Sequence, residues 1–290
     1  MSYDKLFRSL VLPKATYIFT DLDRLNPWQQ QVAAERFRTL SNKGMNCLND
    51  PSHVSARFEL LNQLHGNGFN PQAVYRADGL PKPKAFPVFL RYDDHGTPIS
   101  PLIHSQQELE EVLSDMRDTG LPLRGALVLE HCAEQYKPGL WCKWGAFKVG
   151  EQIFLDHIAV DNNWLVKYGS WNLLCEETVK DENSAVLENR YADQLLPAFK
   201  TANIDYGRAD FSIVDGNIVI YEINTNPFVG QFVPDPIPLR LETQLQARRN
   251  LAEALSQITS TDRGWIGVKP CPLLKFRRGF KFGFLPYQQP

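Results

Sequence analysis

The chain has 290 residues, 43% of them hydrophobic and 22% charged, with a formal net charge of −2. That balance suits a globular protein with room for one large or two to three small domains, and it carries no clear nucleic-acid signal. No apolar run reaches the roughly 20 residues of a membrane span, Met1–Lys5 opens no secretory signal, and the five scattered cysteines (Cys47, Cys132, Cys142, Cys175 and Cys271) lack metal spacing, so a cytoplasmic protein with reduced thiols is expected.

In chain order, Ala15–Thr20 reads as a short strand closing at Asp21-Leu22-Asp23-Arg24. Gln29–Leu40 follows as a helix, with Val32, Ala33, Phe37 and Leu40 at helical spacing and Lys43-Gly44 as its stop. Cys47–Pro51 is a strand entering a turn, and Phe58, Leu60, Leu61 and Leu64 mark a second helix before Gly66-Asn67-Gly68. The result is an α/β unit too short for a full doubly wound domain. Phe86–Leu90 is a compact apolar strand running into Arg91–Thr97. Ser105–Met116 is a helix, opened by a capping-box pattern at Ser105 and Glu108. Ala126–Glu130 is a strand leading to His131-Cys132, and Gly139–Val149 with Gln152–Val160 form a hairpin around Gly150-Glu151. Asn163–Trp171 is unusually aromatic for a loop and reads either as a substrate cover or as core packing. Val186–Ala202 reads as one helix kinked at Pro197, and Leu241–Ile258 as another. Between them and beyond lie a Pro-rich ordered loop, Phe228–Leu239, and a basic aromatic tail around Lys275–Lys281 that either packs back or meets a partner.

The densest signal is Tyr206–Gly230, where Asp215-Gly216 marks a hairpin turn between two β-branched and aromatic runs. A three-residue loop of Asp215, Gly216 and Asn217 pairs Val214 with Ile218, sets Asp210 opposite Glu222 and sets Arg208 opposite Asn224. The other face then holds Phe211, Ile213, Val219, Tyr221 and Ile223. A two-residue loop would shift the register and part Asp210 from Glu222. Two carboxylates and an amide oxygen suit a hard cation such as Mg²⁺, which leaves coordination positions for nucleotide phosphates. Arg208 beside them suits a transferred phosphoryl group. A merely solvated polar face is the competing reading.

Arg208-Ala209-Asp210, followed by Glu222-Ile223-Asn224 and a proline, resembles the metal-binding signature of the ATP-grasp superfamily, which includes carboxylate–amine ligases such as glutathione synthetase and D-alanine–D-alanine ligase. The resemblance is specific in this segment and extends more loosely over roughly residues 45–255 as an order of elements. It implies an α/β (α+β) ATP-grasp fold with two α+β subdomains gripping the nucleotide. The corresponding organisation is a shortened N-terminal α/β domain over 1–80, a central lid over 81–132, a catalytic subdomain over 133–259 and a tail over 260–290.

The same resemblance implies roles. Asp210, Glu222 and Asn224 bind Mg²⁺, with Mn²⁺ as an alternative, and Arg208 meets the transferred phosphoryl group. Arg57 and Arg91 take the places of phosphate-binding lysines, and Glu130 belongs to the hinge that pairs with adenine. Lys143 and Lys167 contact substrate or phosphate. The chain departs from the pattern in having Arg for Lys, one glycine (Gly96) in the phosphate loop, and Leu140-Trp141 where a ribose-binding acid is expected. The implied activity is ATP-dependent joining of a small-molecule or peptide carboxylate to an amine through an acyl phosphate. A kinase of the same fold and a non-catalytic nucleotide-binding protein are the alternatives, and homodimerisation stays open.

Overall fold

The computed structural model describes residues 1–93, 98–229 and 234–269, so the Asp94–Thr97 loop with Gly96, part of Phe228–Leu239 and the tail around Lys275–Lys281 lie outside the described residues. The elements in order are α1 (Tyr3–Arg8), β1 (Val11–Pro13), β2 (Tyr17–Ile18), α2 (Pro27–Ser41), β3 (Cys47–Leu48), α3 (Arg57–Gly66) and β4 (Val74–Arg76). β5 (Val88–Tyr92), α4 (Gln106–Asp118), β6 (Ala126–Glu130), β7 (Trp141–Val149) and β8 (Gln152–Asp161) follow. The chain continues through α5 (Glu176–Glu188), α6 (Ala192–Ala202), β9 (Tyr206–Val214), β10 (Asn217–Asn224), α7 (Pro238–Ile258) and β11 (Trp265–Gly267).

Helix starts follow local chemistry. Asn26 caps α2 reciprocally with Gln29, both bonds at 3.0 Å, and Pro27 supplies a preset φ at the first turn. Ser105 accepts from the Glu108 amide at 3.2 Å, whereas the Glu108 carboxylate reaches the His104 amide instead of returning to Ser105. The single helix expected over Val186–Ala202 is two helices, because Asn189 turns left-handed (φ 52°) and ends α5. Pro197 lies inside α6.

Two antiparallel sheets frame the molecule's centre. One has four strands in the order β10-β9-β7-β8, and the other has three in the order β4-β6-β5. The mixed helix-and-sheet class expected from the sequence is therefore present. The sheets cross the boundaries drawn from the sequence. β4 lies on the near side of residue 80 yet pairs with β6, and β11 lies beyond residue 259 yet pairs with β1. β2 and β3 make a separate parallel pair.

One face of the four-stranded sheet packs on α3, α5 and α6 through a core containing Trp144, Phe199 and Phe211. On the opposite face, Phe147 and Phe154 meet Leu251 and Ala254 of α7. The rest of that second face carries the polar residues described below. The three-stranded sheet is backed by Leu109, Leu113 and Met116 of α4. Buried amides tie these parts together with their hydrogen bonds satisfied, as burial requires. Asn70 gives 2.7 Å to the Ile220 carbonyl and accepts at 3.0 Å from its amide, covering the β10 edge as a further strand would. Asn49 likewise joins Phe19 to Tyr206. Among the described residues no helix is long and apolar enough to cross a membrane.

Candidate active site

The β9–β10 turn has two residues. Asp215 (φ 49°) and Gly216 (φ 76°) both take positive φ, and Val214 pairs with Asn217. The three-residue loop expected from the sequence is thus corrected. Ile213 pairs with Ile218, Ser212 with Val219 and Phe211 with Ile220, so Ile218 and Ile220 join the apolar face while Val219 leaves it. The ladder then skips Tyr221 in a bulge and resumes with Glu222 opposite Asp210 and Asn224 opposite Arg208. The short turn and the bulge offset one another by one residue. The expected polar row therefore forms by a route the sequence reading did not include. Tyr221 points to the polar side, and its hydroxyl lies 2.6 Å from Ser212 Oγ.

Around this row the charges interlock. Arg208 Nε donates to Asp210 Oδ1 at 3.1 Å, and Lys143 Nζ reaches Asp210 Oδ2 at 2.9 Å. Arg57 forms a close ion pair with Glu222, and Arg91 Nη2 lies 3.4 Å from the same oxygen. Burial alone would raise the Glu222 carboxyl, but the fields of Arg57, Arg91 and Lys143 hold it at about 2. Four cations thus stand on these two carboxylates. Asn224 Oδ1 accepts from the Asn226 amide at 2.7 Å, which turns the chain out of β10.

Most of these groups line a cavity of about 340 Å³ between the two sheets. Arg91, Lys143, Lys167, Arg208, Asp210, Glu222 and Asn224 all reach it, so most of the residues singled out from the sequence converge here. Its walls also include the apolar side chains of Phe89, Leu129, Trp141 and Trp164. Trp164 packs on Phe89 with ring centroids 5.1 Å apart and planes tilted by 52°, and meets His131 edge-on at 5.3 Å, so this part of the aromatic segment is both packed and cavity-forming. Burial lowers the His131 pKa, favouring a neutral ring, and pushes the Cys132 and Cys142 thiols up to about 12. Lys167 accepts weakly through its carbonyl from Lys143 (3.5 Å), while its ammonium lies over the Tyr168 ring.

Two of the residues singled out do not line this cavity. Arg57 stands behind Glu222 beside a separate space of about 60 Å³ and donates to the Tyr92 carbonyl at 3.2 Å. Its ion pair holds Glu222 from that side. Glu130 is also turned away: its carboxylate accepts from the Tyr75 hydroxyl (2.8 Å) and from the Lys84 (2.8 Å) and Ala85 (3.1 Å) amides. Its carbonyl accepts from Gln72 Nε2 at 2.8 Å and its amide donates to Ala73 at 3.1 Å. With these groups engaged, Glu130 braces the Lys84–Ala85 loop, and the neighbouring His131 and Cys132 line the cavity instead.

Asp21 and Arg24, which carry no recognisable motif, also line the cavity. Asp21 adopts φ 53° and accepts from Asn226 Nδ2 at 2.8 Å, so a turn that reads as a plain strand stop is held against the end of β10. A carboxylate in the left-handed region is uncommon, but its φ is not visible in the residue string.

No protein-family model matches the chain, and no curated protein matches it. Solved structures do. An L-amino acid ligase from Bacillus licheniformis aligns with a TM-score of 0.41 and 10% identity, covering 68% of this chain and 47% of that one. The ATP complex of a D-alanine–D-alanine ligase from Bacillus anthracis aligns at 0.39 and 14%, covering 67% and 62%. A RimK domain ATP-grasp protein from Sphaerobacter thermophilus aligns at 0.38 and 12%, covering 67% and 69%. The chain spans about half of the first of these proteins and under two thirds of the second.

Proposed function

We propose that the cavity binds ATP with Mg²⁺ and that the protein is an ATP-dependent carboxylate–amine ligase on an ATP-grasp framework. The observation that carries this reading is the cavity's mixed lining: apolar aromatic side chains that suit a planar base, together with cations and the strand-pair face shared by Asp210, Glu222 and Asn224. Among the described residues no three His, Cys, Asp or Glu side chains are grouped to hold a metal, and the set read here has Asn224 as its third member. Two carboxylates and an amide oxygen still form the all-oxygen set that Mg²⁺ takes, and Glu222 is held ionised for it. Bound there, Mg²⁺ would neutralise charge on the phosphate oxygens.

The chain's own residues do the rest. Arg91, Lys143 and Lys167 orient the polyphosphate, and Arg208 stabilises charge on the group in transfer. Trp164 and Phe89 exclude water from the base. An oxygen of the substrate carboxylate attacks the γ-phosphorus, and ADP departs with the electrons of the broken P–O bond. The amine nitrogen then attacks the acyl carbon, phosphate leaves with the C–O pair, and the amine proton passes to solvent. No covalent nucleophile on the protein is needed.

Calorimetric titration with ATP, with and without Mg²⁺, tests the cavity, and product analysis with pooled carboxylates and amines tests the reaction. A ligase releases phosphate and forms an amide only when both acceptors are present, whereas a kinase leaves a phosphorylated hydroxyl and no free phosphate. Absence of ATP binding under both conditions overturns the proposal. One observation favours a non-catalytic reading: both Asp210 oxygens already meet cations, leaving a site suited to an anion without metal. Equal ATP affinity with and without Mg²⁺, and no turnover, would mark that case.

A further inference from the structure

The polar row of the hairpin continues across the four-stranded sheet. Glu222 lies opposite Asp210, Asp210 opposite Gly145, and Gly145 opposite His157. A second bulge makes the last pairing. The β7–β8 ladder steps from Gly145–His157 to Ala146–Leu155 and leaves Asp156 as the extra residue. Leu155 and Ile158 enter the core, while Asp156 and His157 are left half-buried outside it.

Gly145 is the member of the row without a side chain, and the space over it is filled. A Cβ there would meet His157 Cε1 at 2.9 Å, His157 Nδ1 at 3.2 Å and Arg208 Cδ at 3.4 Å. The imidazole and the Arg208 stem therefore lie together in the slot Gly145 provides. Asp156 Oδ2 accepts from His157 Nδ1 at 2.8 Å and fixes the ring. Burial alone would raise the Asp156 carboxyl, yet His157, Arg208 and Arg248 keep it below the ordinary carboxylate range. Arg248 in turn donates to the Val229 carbonyl at 2.6 Å, just beyond the strand bearing Glu222 and Asn224. Both arginines lie near enough to Asp156 for their charge to act on it.

We propose that Gly145, His157 and Asp156 are positioning residues for Arg208, holding its stem so that Nε stays on Asp210 and the terminal nitrogens face an anion in the cavity. An arginine stem has many rotamers to lose on binding, and one fixed beforehand loses fewer. The inference rests on reading Arg208 as a phosphate-binding group. Its geometric content can be tested separately.

The test reads the Arg208 Nε–H proton by NMR, with the resonance assigned by its loss in Arg208→Lys. In His157→Ala its exchange with water is expected to accelerate at least about tenfold, since a fixed hydrogen bond becomes a mobile one. His157→Gln, whose amide can still donate to Asp156, is expected to restore much of the protection, and His104→Ala on the surface to change nothing. Gly145→Ala is expected to match His157→Ala; if it does not fold, the two His157 variants carry the test. An unchanged rate in His157→Ala overturns the proposal. Titration of the same proteins with inorganic pyrophosphate should show affinity falling about tenfold in His157→Ala. Failure of the wild type to bind pyrophosphate or ATP removes the phosphate role, while the exchange rate still decides the positioning.

Discussion

Asp210 and Glu222 face one another because Tyr221, one residue before Glu222, is squeezed out of the β9–β10 ladder. Counted from the two-residue turn alone, Asp210 would face Tyr221. The bulge and the turn act as a pair, and the turn's share can be tested. Gly216 (φ 76°) has open space around it, so Gly216→Val meets backbone strain and no clash. The cost expected is about 1–2 kcal/mol, read as a fall of a few degrees in Tm with the far-UV spectrum unchanged. An unchanged Tm would show that the turn tolerates another geometry.

Arg57 and Arg91 both point at Glu222, yet they differ in burial, with side-chain exposures of 6% and 13%. Removing Arg57 leaves Glu222 with the more distant Arg91 and the field of Lys143. Arg57→Ala is expected to destabilise the protein by about 2 kcal/mol, more than Arg91→Ala. Arg91→Ala should instead weaken ATP binding the more strongly, because Arg91 lines the cavity and Arg57 does not. Paired denaturation and calorimetry check both orders.

Glu222 also sets an acid limit. Its folded value of about 2 lies below its ordinary 4.5, so its contribution to stability is fully present above 4.5 and is lost as pH falls toward 2. Tm measured across that window without metal should drop, and Glu222→Gln should flatten that part of the curve while lowering stability at neutral pH. A parallel fall in both proteins would assign the acid sensitivity elsewhere.

Asp210→Asn and Glu222→Gln are expected to leave a folded protein in which Mg²⁺ no longer strengthens ATP binding. Retention of the wild-type Mg²⁺ effect in both variants would sink the metal assignment.

Cys175 offers a prediction remote from the cavity. It is exposed at the start of α5, and hydrogen bonds from Thr178 and from Lys137 Nζ (3.2 Å) bring its thiol down to about 7. Cys132 and Cys142 stand at about 12. Iodoacetamide near neutral pH should therefore label Cys175 before Cys132 and Cys142, and Lys137→Ala should move its labelling midpoint upward. Peptide mapping by mass spectrometry reads both.

Much of the order of elements was legible because apolar spacing and caps act locally. Ala126–Glu130 emerged with the bounds read from the sequence, and the α2 helix by its periodicity. What stayed hidden depended on tertiary compensation. Alternation fixes which residues share a face only while the ladder is regular, so the Tyr221 bulge could not be read from it. Glu130 and Arg57 have the right residue type near the right strand or helix start, but their directions are set by Tyr75, Lys84 and Glu222, which the chain brings in from elsewhere. Asn189 hid a helix break because it ends α5 through one dihedral angle.

The pairing of β1 with β11 has a kinetic consequence. Arg36, buried in α2, donates both to the Phe7 carbonyl and to that of Lys269, 233 residues further along. During synthesis the N-terminal helices emerge with part of their hydrogen-bonding surface waiting for a segment not yet made. The two central sheets, built largely from nearer pairings, can assemble before that closure. Loss of Trp265–Gly267 should therefore open the N-terminal region, including the Asp21 and Arg24 corner of the cavity, while the two central sheets stay paired.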